Sequence, residues 1–253
     1  MKSKHDIIWL DTVDSTNNEV RRRISGLDNL SVLSALEQTS GRGQQGNTWV
    51  SRPGENLTFS IILKYAEQNI LLDAHDQCVI NEITSLSAVD FLAAHGIEAK
   101  IKWPNDIYVN DKKICGILIE NSLRGSNVSH SIIGIGLNIN QKNFDVSLPN
   151  PVSIALLTDE KHDLYECLDE FLSIFKEYVS TYLNGNGGFK RLRTLYLSQL
   201  WKLDEPAKFY HGSCKEEVFS GTIRGLTDIG NILVETEKGE LKEFAFKEIG
   251  YIL

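Results

Sequence analysis

A glycine-rich loop from Gly41 to Gly46, with the sequence GRGQQG, is the first segment whose residue types could bind a ligand. Its glycines allow close backbone approach, so that successive N–H groups can surround a phosphate or a carboxylate. Arg42 adds a bidentate cation, and Trp49 offers a flat face for a purine. The alternative is a simple turn with a surface arginine and a core tryptophan. The G-x-G-x-x-G spacing also matches a dinucleotide-binding loop, but that requires a following helix, and Pro53-Gly54 and a predicted strand follow instead.

The segment Lys102-Trp103-Pro104-Asn105-Asp106 has a different chemistry. Pro104 restricts the chain between two predicted strands. A carboxylate and an amide that follow it suit a magnesium shell which also uses phosphate oxygens. The alternative is that both side chains satisfy the backbone of a turn.

Two predicted strands carry further candidates. Lys112 and Lys113 are adjacent, so one faces solvent and the other faces the sheet surface near Gly116, unless both protect an edge strand. In the segment IIGIGLNIN, the glycines at 134 and 136 indicate close approach of a ligand or of backbone, and Asn138 is expected to project toward that ligand. The alternative is a bulge packed against a helix.

The segment DSTNN, residues 14–18, lies at a predicted helix N-terminus. Its hydroxyls and amides could bind a neutral polar ring such as a ureido group. The alternative is helix capping, since Thr16 and Glu19 have the spacing of a capping box.

The periodicity predicts the elements that position these groups. Helices are expected over residues 14–25, 74–95, 164–183 and 189–200, and strands over 31–38, 56–64, 99–103, 107–109, 114–120 and 131–139. After Trp201, short β-like runs separated by turns are typical of a small β-barrel. We therefore expect an α+β fold, with a mixed or antiparallel sheet flanked by helices over residues 1–200 and a small β-domain over 201–253.

The composition limits the class of protein. The chain has 253 residues and a net charge of −8, which disfavours a general nucleic-acid coat. Its sequence has no signal peptide and no apolar run of about 18 residues, so no membrane association is expected. The four cysteines and six histidines are scattered, which predicts reduced thiols in a cytoplasmic protein and no metal cluster made by the protein alone.

The order of these motifs resembles the biotin protein ligase family. The segments DSTNNE, EQTSGRGQQGNTW, KWPNDIYVNDKKICGILIEN and IIGIGLNIN carry the resemblance, which covers most of the chain. The resemblance implies a class II synthetase-like catalytic domain followed by an SH3-like domain. It implies that the catalytic groups are Lys113, Arg42 and Lys102. It implies a biotin site made of Ser15, Thr16, Asn17, Gln38, Gly41, Arg42, Gly43, Gln44, Lys113, Gly116 and Gly136. It implies a nucleotide site made of Trp49, Lys102, Asn105, Asp106, Ile117 and Asn138, with Asp106 also holding magnesium.

The reaction implied by the resemblance consumes ATP with Mg²⁺ and uses biotin as the substrate. Biotin is activated as biotinyl-5′-AMP and then transferred to a lysine of a biotin carboxyl carrier protein, of acetyl-CoA carboxylase or a related enzyme. The glycine loop would be disordered until a ligand binds. An exposed sheet edge would also allow a homodimer.

Two departures from relatives matter. Many relatives have a second arginine where this chain has Gln44, so we expect weaker retention of the adenylate. The DSTN segment begins at Asp14 and leaves no room for an N-terminal helix-turn-helix, so we expect a ligase without operator binding. The alternatives are a lipoate ligase or octanoyl transferase, and a biotin sensor that does not transfer its ligand.

Overall fold

A seven-stranded mixed sheet is the centre of the molecule. The computed structural model describes residues 6–184, 188–212 and 214–252. The sheet has the order β1-β2-β3-β7-β6-β5-β4. Its strands are β1 (Ile7–Val13), β2 (Val32–Gln38), β3 (Leu57–Lys64), β4 (Lys100–Lys102), β5 (Asp106–Val109), β6 (Lys112–Arg124) and β7 (Asn127–Leu137).

The first two strands make the sheet mixed. β1 pairs with β2 in parallel, and helix α1 (Thr16–Arg23) lies in the connection between them. Every other strand pair of this sheet is antiparallel. The sequence patterns did not predict β1, whose residues are mostly half-buried or exposed and show no clear alternation.

Each face of the sheet packs against different helices. Phe59 of β3 contacts Phe171 of α4 (Leu164–Tyr182), with ring centroids 5.3 Å apart, and Phe91 of α2 (Cys78–Ala94) also contacts Phe171. Ile62 lies three positions after Phe59 on β3, so its side chain points to the opposite face of the sheet, because side chains alternate along a strand. There it packs with Val20 of α1. The two faces of the sheet are therefore covered by different helices, α2 and α4 on one and α1 on the other.

The remaining helices and the C-terminal sheet complete the fold. Helix α5 (Phe189–Ser198) packs against α2, and the short helix α3 (Ile154–Thr158) precedes α4 in the chain. A second, wholly antiparallel sheet has the order β11-β10-β9-β8-β12. Its strands are β8 (Pro206–His211), β9 (Cys214–Leu226), β10 (Ile232–Thr236), β11 (Leu241–Phe244) and β12 (Ile249–Tyr251).

A partly buried arginine connects the helices to the C-terminal sheet. Arg193 of α5 pairs with Glu82 of α2, which is 2% exposed, and donates to the carbonyl of Thr227 in the turn between β9 and β10. In the same turn, the carbonyl of Gly230 accepts a 3.0 Å hydrogen bond from the Trp103 indole. The C-terminal sheet is thereby fixed beside the segment that follows β4.

Several sequence predictions are confirmed and others need correction. The mixed α+β fold is confirmed. The Thr16–Glu19 capping box is wrong, because Ser15 is the N-cap and Glu19 instead forms ion pairs with Arg22 and Arg23. Predicted helix 74–95 begins only at Cys78. The predicted helix break at 184–188 lies partly outside the described residues. In the described ranges, no helix is long and apolar enough to cross a membrane.

Candidate active site

A cavity of about 290 Å³ lies between the α1 face of the large sheet and the C-terminal sheet. The large sheet contributes the ends of β2 and β4, the start of β5, the first half of β6 and the last part of β7. The glycine loop covers one side, and Tyr210, Phe246, Lys247 and Tyr251 come from the C-terminal sheet. Arg42 and Lys113 both line this single cavity, as the sequence analysis requires.

Glycines form the floor of the cavity. Gly116 and Gly136 are direct partners across the β6–β7 pair, and the Trp49 indole lies over them. A Cβ on Gly136 would lie 2.2 Å from Cε2 of Trp49, and one on Gly116 would lie 3.0 Å from Cζ3. Gly134 has the same restriction, since its Cβ would lie 2.4 Å from Oδ1 of Asn17. The bare backbone therefore admits a flat group at this position, as the glycine spacing predicted.

The end of the cavity next to α1 is polar and uncharged. Gln38 Oε1 accepts from the backbone N–H of Thr16 at 2.8 Å and lies 3.2 Å from its hydroxyl. Ser60 Oγ lies 2.7 Å from Thr16 Oγ1 and 2.6 Å from Asn17 Oδ1. Thr16, Asn17 and Ser60 are all buried. These bonds fix the orientation of the amide and hydroxyl groups at this end. The sequence patterns did not single out Ser60, because a serine in an apolar strand has no distinctive spacing.

Glu120 of β6 connects this polar end to the glycine loop. It accepts from Asn17 Nδ2 at 2.9 Å and from Arg42 at 3.0 Å, and it pairs with Arg21 at 2.8 Å. Burial opposes the ionisation of Glu120, but the hydrogen bonds from Asn17, Arg21 and Arg42 outweigh it and lower its pKa. Glu120 thus fixes the position of the Arg42 guanidinium at the edge of the cavity.

The other cations lie at the opposite end. Lys113 Nζ is 2.7 Å from Asp106 Oδ1. Lys102 lies between the rings of Tyr108 and Tyr251, with its Nζ 4.8 and 5.0 Å from their centroids. Burial lowers the pKa of Lys102, and Lys113 acts in the same direction while Asp106 opposes it. Lys112, the neighbour of Lys113, is exposed, as the strand alternation predicted.

The charge of the cavity favours an anionic ligand. Among the described residues that line it there are four cations, Arg42, Lys102, Lys113 and Lys247, and a single carboxylate, Asp106. A magnesium ion usually binds proteins through one or two carboxylates and takes its other ligands from phosphates and water. One carboxylate beside three lysines fits an ion held mainly by substrate phosphates.

Lys247 was not found by the sequence analysis. It lies in the turn between β11 and β12 with φ of 81°, a region that non-glycine residues rarely adopt. Its Nζ is 5.6 Å from the centroid of the Phe246 ring. Nothing in the sequence of this turn marks the cavity, because only the packing of the two sheets brings the turn there.

The structure gathers most of the predicted site residues. Those that line the cavity are Ser15, Thr16, Asn17, Gln38, Arg42, Gly43, Gln44, Trp49, Lys102, Asn105, Asp106, Lys113, Gly116, Ile117 and Gly136. Asn105 also donates its side-chain amide to the carbonyl of Ile117 in β6, so it satisfies backbone of a strand and not of its own turn.

Two predicted residues lie outside this lining. Asn138 does not project into the cavity, because its amide donates to the carbonyl of Val152 at 2.9 Å and its side chain is buried. Gly41 borders a second cavity, within the loop itself. A Cβ there would lie 2.3 Å from the carbonyl oxygen of Trp49, so Gly41 allows the loop to close on itself.

The glycine loop also excludes the dinucleotide-binding alternative. After a 3-10 turn at Gln44–Gly46 the chain continues to β3, and the Arg42–Thr48 bridge closes the loop. A dinucleotide-binding loop requires a helix directly after Gly46. In this chain an irregular segment and then strand β3 follow Gly46.

An α+β fold with a cationic, glycine-floored cavity between two sheets defines a binding site for an anionic ligand. The model of the biotin/lipoate A/B protein ligase family matches residues 9–138. A bifunctional ligase/repressor of Bacillus subtilis is 31% identical over 95% of this chain and 71% of its own length. A biotin–[acetyl-CoA-carboxylase] ligase of Paracoccus denitrificans is 28% identical over 89% of this chain and 92% of its own.

A solved structure agrees with these sequence relatives. The biotin protein ligase of Aquifex aeolicus, in complex with biotin and ATP, is 29% identical, with a TM-score of 0.78 and 98% of each chain covered. The chain belongs to the biotin/lipoate A/B protein ligase family.

Proposed function

We propose that the chain is a biotin protein ligase, which activates biotin with ATP and transfers it to a lysine of a biotin carboxyl carrier protein domain. One observation carries this proposal: a single cavity combines a fixed, uncharged polar end with four cations at its other sides. Biotin has the same division, since its ureido ring is neutral and polar and its carboxylate is an anion.

The polar end is suited to the ureido ring. Gln38, Thr16 and Asn17 present amide and hydroxyl groups whose orientation is fixed by hydrogen bonds with each other and with Ser60. Groups that are already oriented lose less entropy when a ligand binds. The valeryl chain of biotin would then extend over the glycine floor at Gly116 and Gly136 toward the cations.

The first reaction step joins two anions. A carboxylate oxygen of biotin attacks the α-phosphorus of ATP, the bond to the pyrophosphate oxygen breaks, and biotinyl-5′-AMP and pyrophosphate form. Two unit charges 4 Å apart repel by about 4 kcal/mol at an effective dielectric constant of 20. Arg42 and Lys113 reduce this repulsion, and they are held in the cavity in advance by Glu120 and Asp106.

The nucleotide would occupy the part of the cavity between Trp49 and the C-terminal sheet. Trp49 offers a stacking face to the adenine. Lys102 and Lys247 would face the phosphates, and Asp106 with Asn105 would hold a magnesium ion. When bound, that ion supplies further neutralisation of phosphate charge.

The second step transfers biotin to the carrier. The ε-amine of the carrier lysine attacks the acyl carbon of the mixed anhydride, and the bond between that carbon and the AMP oxygen breaks. The amine must lose a proton, and Asp106 is the lining carboxylate that can accept it. The glycine loop, with Trp49 at its end, would exclude water and limit hydrolysis of the intermediate.

The proposal also covers the setting of the enzyme. Residues 1–200 would form the catalytic domain and residues 201–253 an SH3-like domain, and the chain would act without nucleic acid. Free Cys78, Cys115 and Cys167 support a reducing, cytoplasmic location. The edge strand β1 would be the surface for a homodimer.

A mass measurement on the carrier tests the proposed function. The purified chain is incubated with ATP, Mg²⁺, biotin and a biotin carboxyl carrier domain, and the carrier is weighed. We expect one added biotinyl group, which is lost when ATP is omitted or when the carrier lysine is replaced by arginine. An unmodified carrier in the complete mixture would contradict the proposal.

Lipoate is the second candidate substrate, since the matching family includes lipoate ligases. The dithiolane ring of lipoate offers no amide-like donors or acceptors to Gln38 and Asn17. We therefore expect biotin with ATP to raise the melting temperature more than lipoate with ATP does. A larger shift with lipoate would reverse the assignment of the substrate.

A further inference from the structure

Three potential metal ligands meet on the face of the sheet opposite the catalytic cavity. His95 follows the last residue of α2, His162 precedes α4, and Cys167 lies in the second turn of α4. One ligand atom from each lies within 4.8 Å of the other two. In the sequence these residues are up to 72 positions apart (95 to 167), so the expectation of no protein-made metal cluster rested on spacing alone.

The His95 imidazole is held in a way that leaves one ring nitrogen available, and the backbone of His162 is held in place. Nδ1 of His95 lies 2.9 Å from the carbonyl oxygen of Phe91, so Nδ1 carries the proton and Nε2 keeps its lone pair. The backbone of His162 is fixed by Asn140, which accepts from its N–H at 2.9 Å and donates to its carbonyl at 2.8 Å. Metal-binding histidines are typically oriented by a hydrogen bond of the ring nitrogen that does not bind the metal, as Nδ1 of His95 would be here.

The second histidine has an unsatisfied polar atom. Nε2 of His162 is buried and has no hydrogen-bond partner among the described residues. A plain aromatic cluster is the alternative, since the His95 ring is 4.5 Å from Phe91 and 5.1 Å from His162. That alternative leaves the nitrogen without a partner, which is costly for a buried polar group. A metal ion would satisfy it.

The ligand types select the metal. We propose that His95, His162 and Cys167 bind a single zinc ion, with Glu170 or water as the fourth ligand. Glu170 Oε2 lies 3.8 Å from Nε2 of His95, and its side chain is 42% exposed. Two imidazoles, a thiolate and an oxygen in a tetrahedral arrangement suit zinc, whereas magnesium prefers an all-oxygen shell.

Binding requires small movements and the loss of one proton. Zinc bonds of about 2.0–2.3 Å place tetrahedral ligand atoms roughly 3.3–3.8 Å apart, so the three atoms must approach by about 1 Å. Burial raises the pKa of the Cys167 thiol to about 12. The ion therefore displaces the thiol proton to solvent as the sulfur–metal bond forms.

The site would act on stability and not on catalysis. None of the three residues lines the catalytic cavity. A bound ion would connect the end of α2 to the start of α4, the two helices that cover the same face of the sheet. It would also fix the loop at Asn140, which directly follows β7 and the glycine floor.

Cobalt substitution provides a direct test. The protein is treated with a chelator, dialysed and titrated with Co²⁺, whose thiolate complexes give a near-ultraviolet charge-transfer band and whose tetrahedral sites absorb strongly in the visible. We expect both signals to saturate at one equivalent, and one equivalent of Zn²⁺ to remove them and to raise the melting temperature. His162→Gln should weaken cobalt binding by at least about 100-fold, because it removes a ligand, and Cys167→Ser should abolish the charge-transfer band.

His75→Gln is the matched control, since His75 is exposed and lies before the start of α2, whereas His95 of the cluster follows the end of that helix. It should leave the cobalt spectrum unchanged. His162 is only partly buried, so His162→Gln stays informative if Cys167→Ser fails to fold. No saturable spectrum at one equivalent, or an unchanged spectrum in His162→Gln, would overturn the proposal.

Discussion

A methyl group on the cavity floor offers the sharpest test of the glycine arrangement. In Gly136→Ala the new Cβ would lie 2.2 Å from Cε2 of Trp49 and 2.6 Å from both Cζ2 and Nε1. Carbon atoms in contact prefer about 3.5–4.0 Å, so the indole must move by at least about 1.3 Å. A ligand that takes its place on the floor meets the same methyl group.

The expected cost follows from overpacking. Inserting one carbon into a well-packed site costs about 1–3 kcal/mol, which corresponds to roughly 5- to 150-fold in affinity. We expect kcat/KM for biotin in ATP–pyrophosphate exchange to fall within that range. Trp49 fluorescence should change as well, because the ring leaves its contacts with Gly116 and Gly136.

Gly26→Ala is the control for the change from glycine to alanine. A Cβ at Gly26 meets no heavy atom within 4 Å, and Gly26 is exposed. This variant should keep wild-type exchange and melting temperature. Wild-type kcat/KM in Gly136→Ala, with the fold intact, would refute the idea that bare backbone at this position admits the ligand.

Three further predictions concern the charged and polar groups around the cavity. Lys247→Gly removes a cation from the cavity and a strained φ from the backbone, so we expect KM for ATP to rise about 10-fold without loss of stability. The control is Lys202→Gly, which also has a positive φ, of 59°, and also lies beside an aromatic ring, and it should leave KM unchanged. Equal KM values in the two variants would count against a role for Lys247 in binding ATP. Gln44→Arg should slow the release of biotinyl-AMP, measured by filter binding, and an unchanged or faster release would contradict the expected effect of the neutral amide. Glu120 has a folded pKa below its ordinary 4.5, so its ionised form stabilises the fold above that pH and the stabilisation is lost as pH falls through the folded pKa. Glu120→Gln should therefore show a smaller drop in melting temperature between about pH 6 and pH 3 than the wild type; parallel pH profiles would contradict the role of Glu120.

Local sequence patterns predicted those helices and hairpins whose periodicity or turn residues lie within one continuous segment of the chain. Periodicity gave α4, whose buried residues Leu168, Phe171 and Phe175 lie on one face, and the turn at Asn110 gave the β5–β6 hairpin. β1 was missed because its parallel partner, β2, is contributed by a later part of the chain. The capping box was wrong for a similar reason: Gln38, 22 positions away, binds the first turn of α1 in place of a local cap.

The candidate site shows the same division. Arg42, Lys113 and the glycines at 116 and 136 could be found because their motifs are compact in sequence. Lys247 and the His95–His162–Cys167 cluster could not, since only tertiary packing places them near their neighbours. Asn138 was misplaced because a conspicuous asparagine beside two glycines satisfies the backbone of Val152 instead of facing the cavity.

The charge-neutralising role of Lys113 can be isolated by biotin-dependent exchange of labelled pyrophosphate into ATP. Lys113→Ala removes a cation from the cavity, whereas Lys112→Ala removes the exposed neighbour on the other side of β6. We expect Lys113→Ala to lose at least about 100-fold in exchange while its melting temperature stays near that of the wild type, and Lys112→Ala to exchange normally. Normal exchange in a folded Lys113→Ala protein would contradict the claim that two anions are brought together by this lysine.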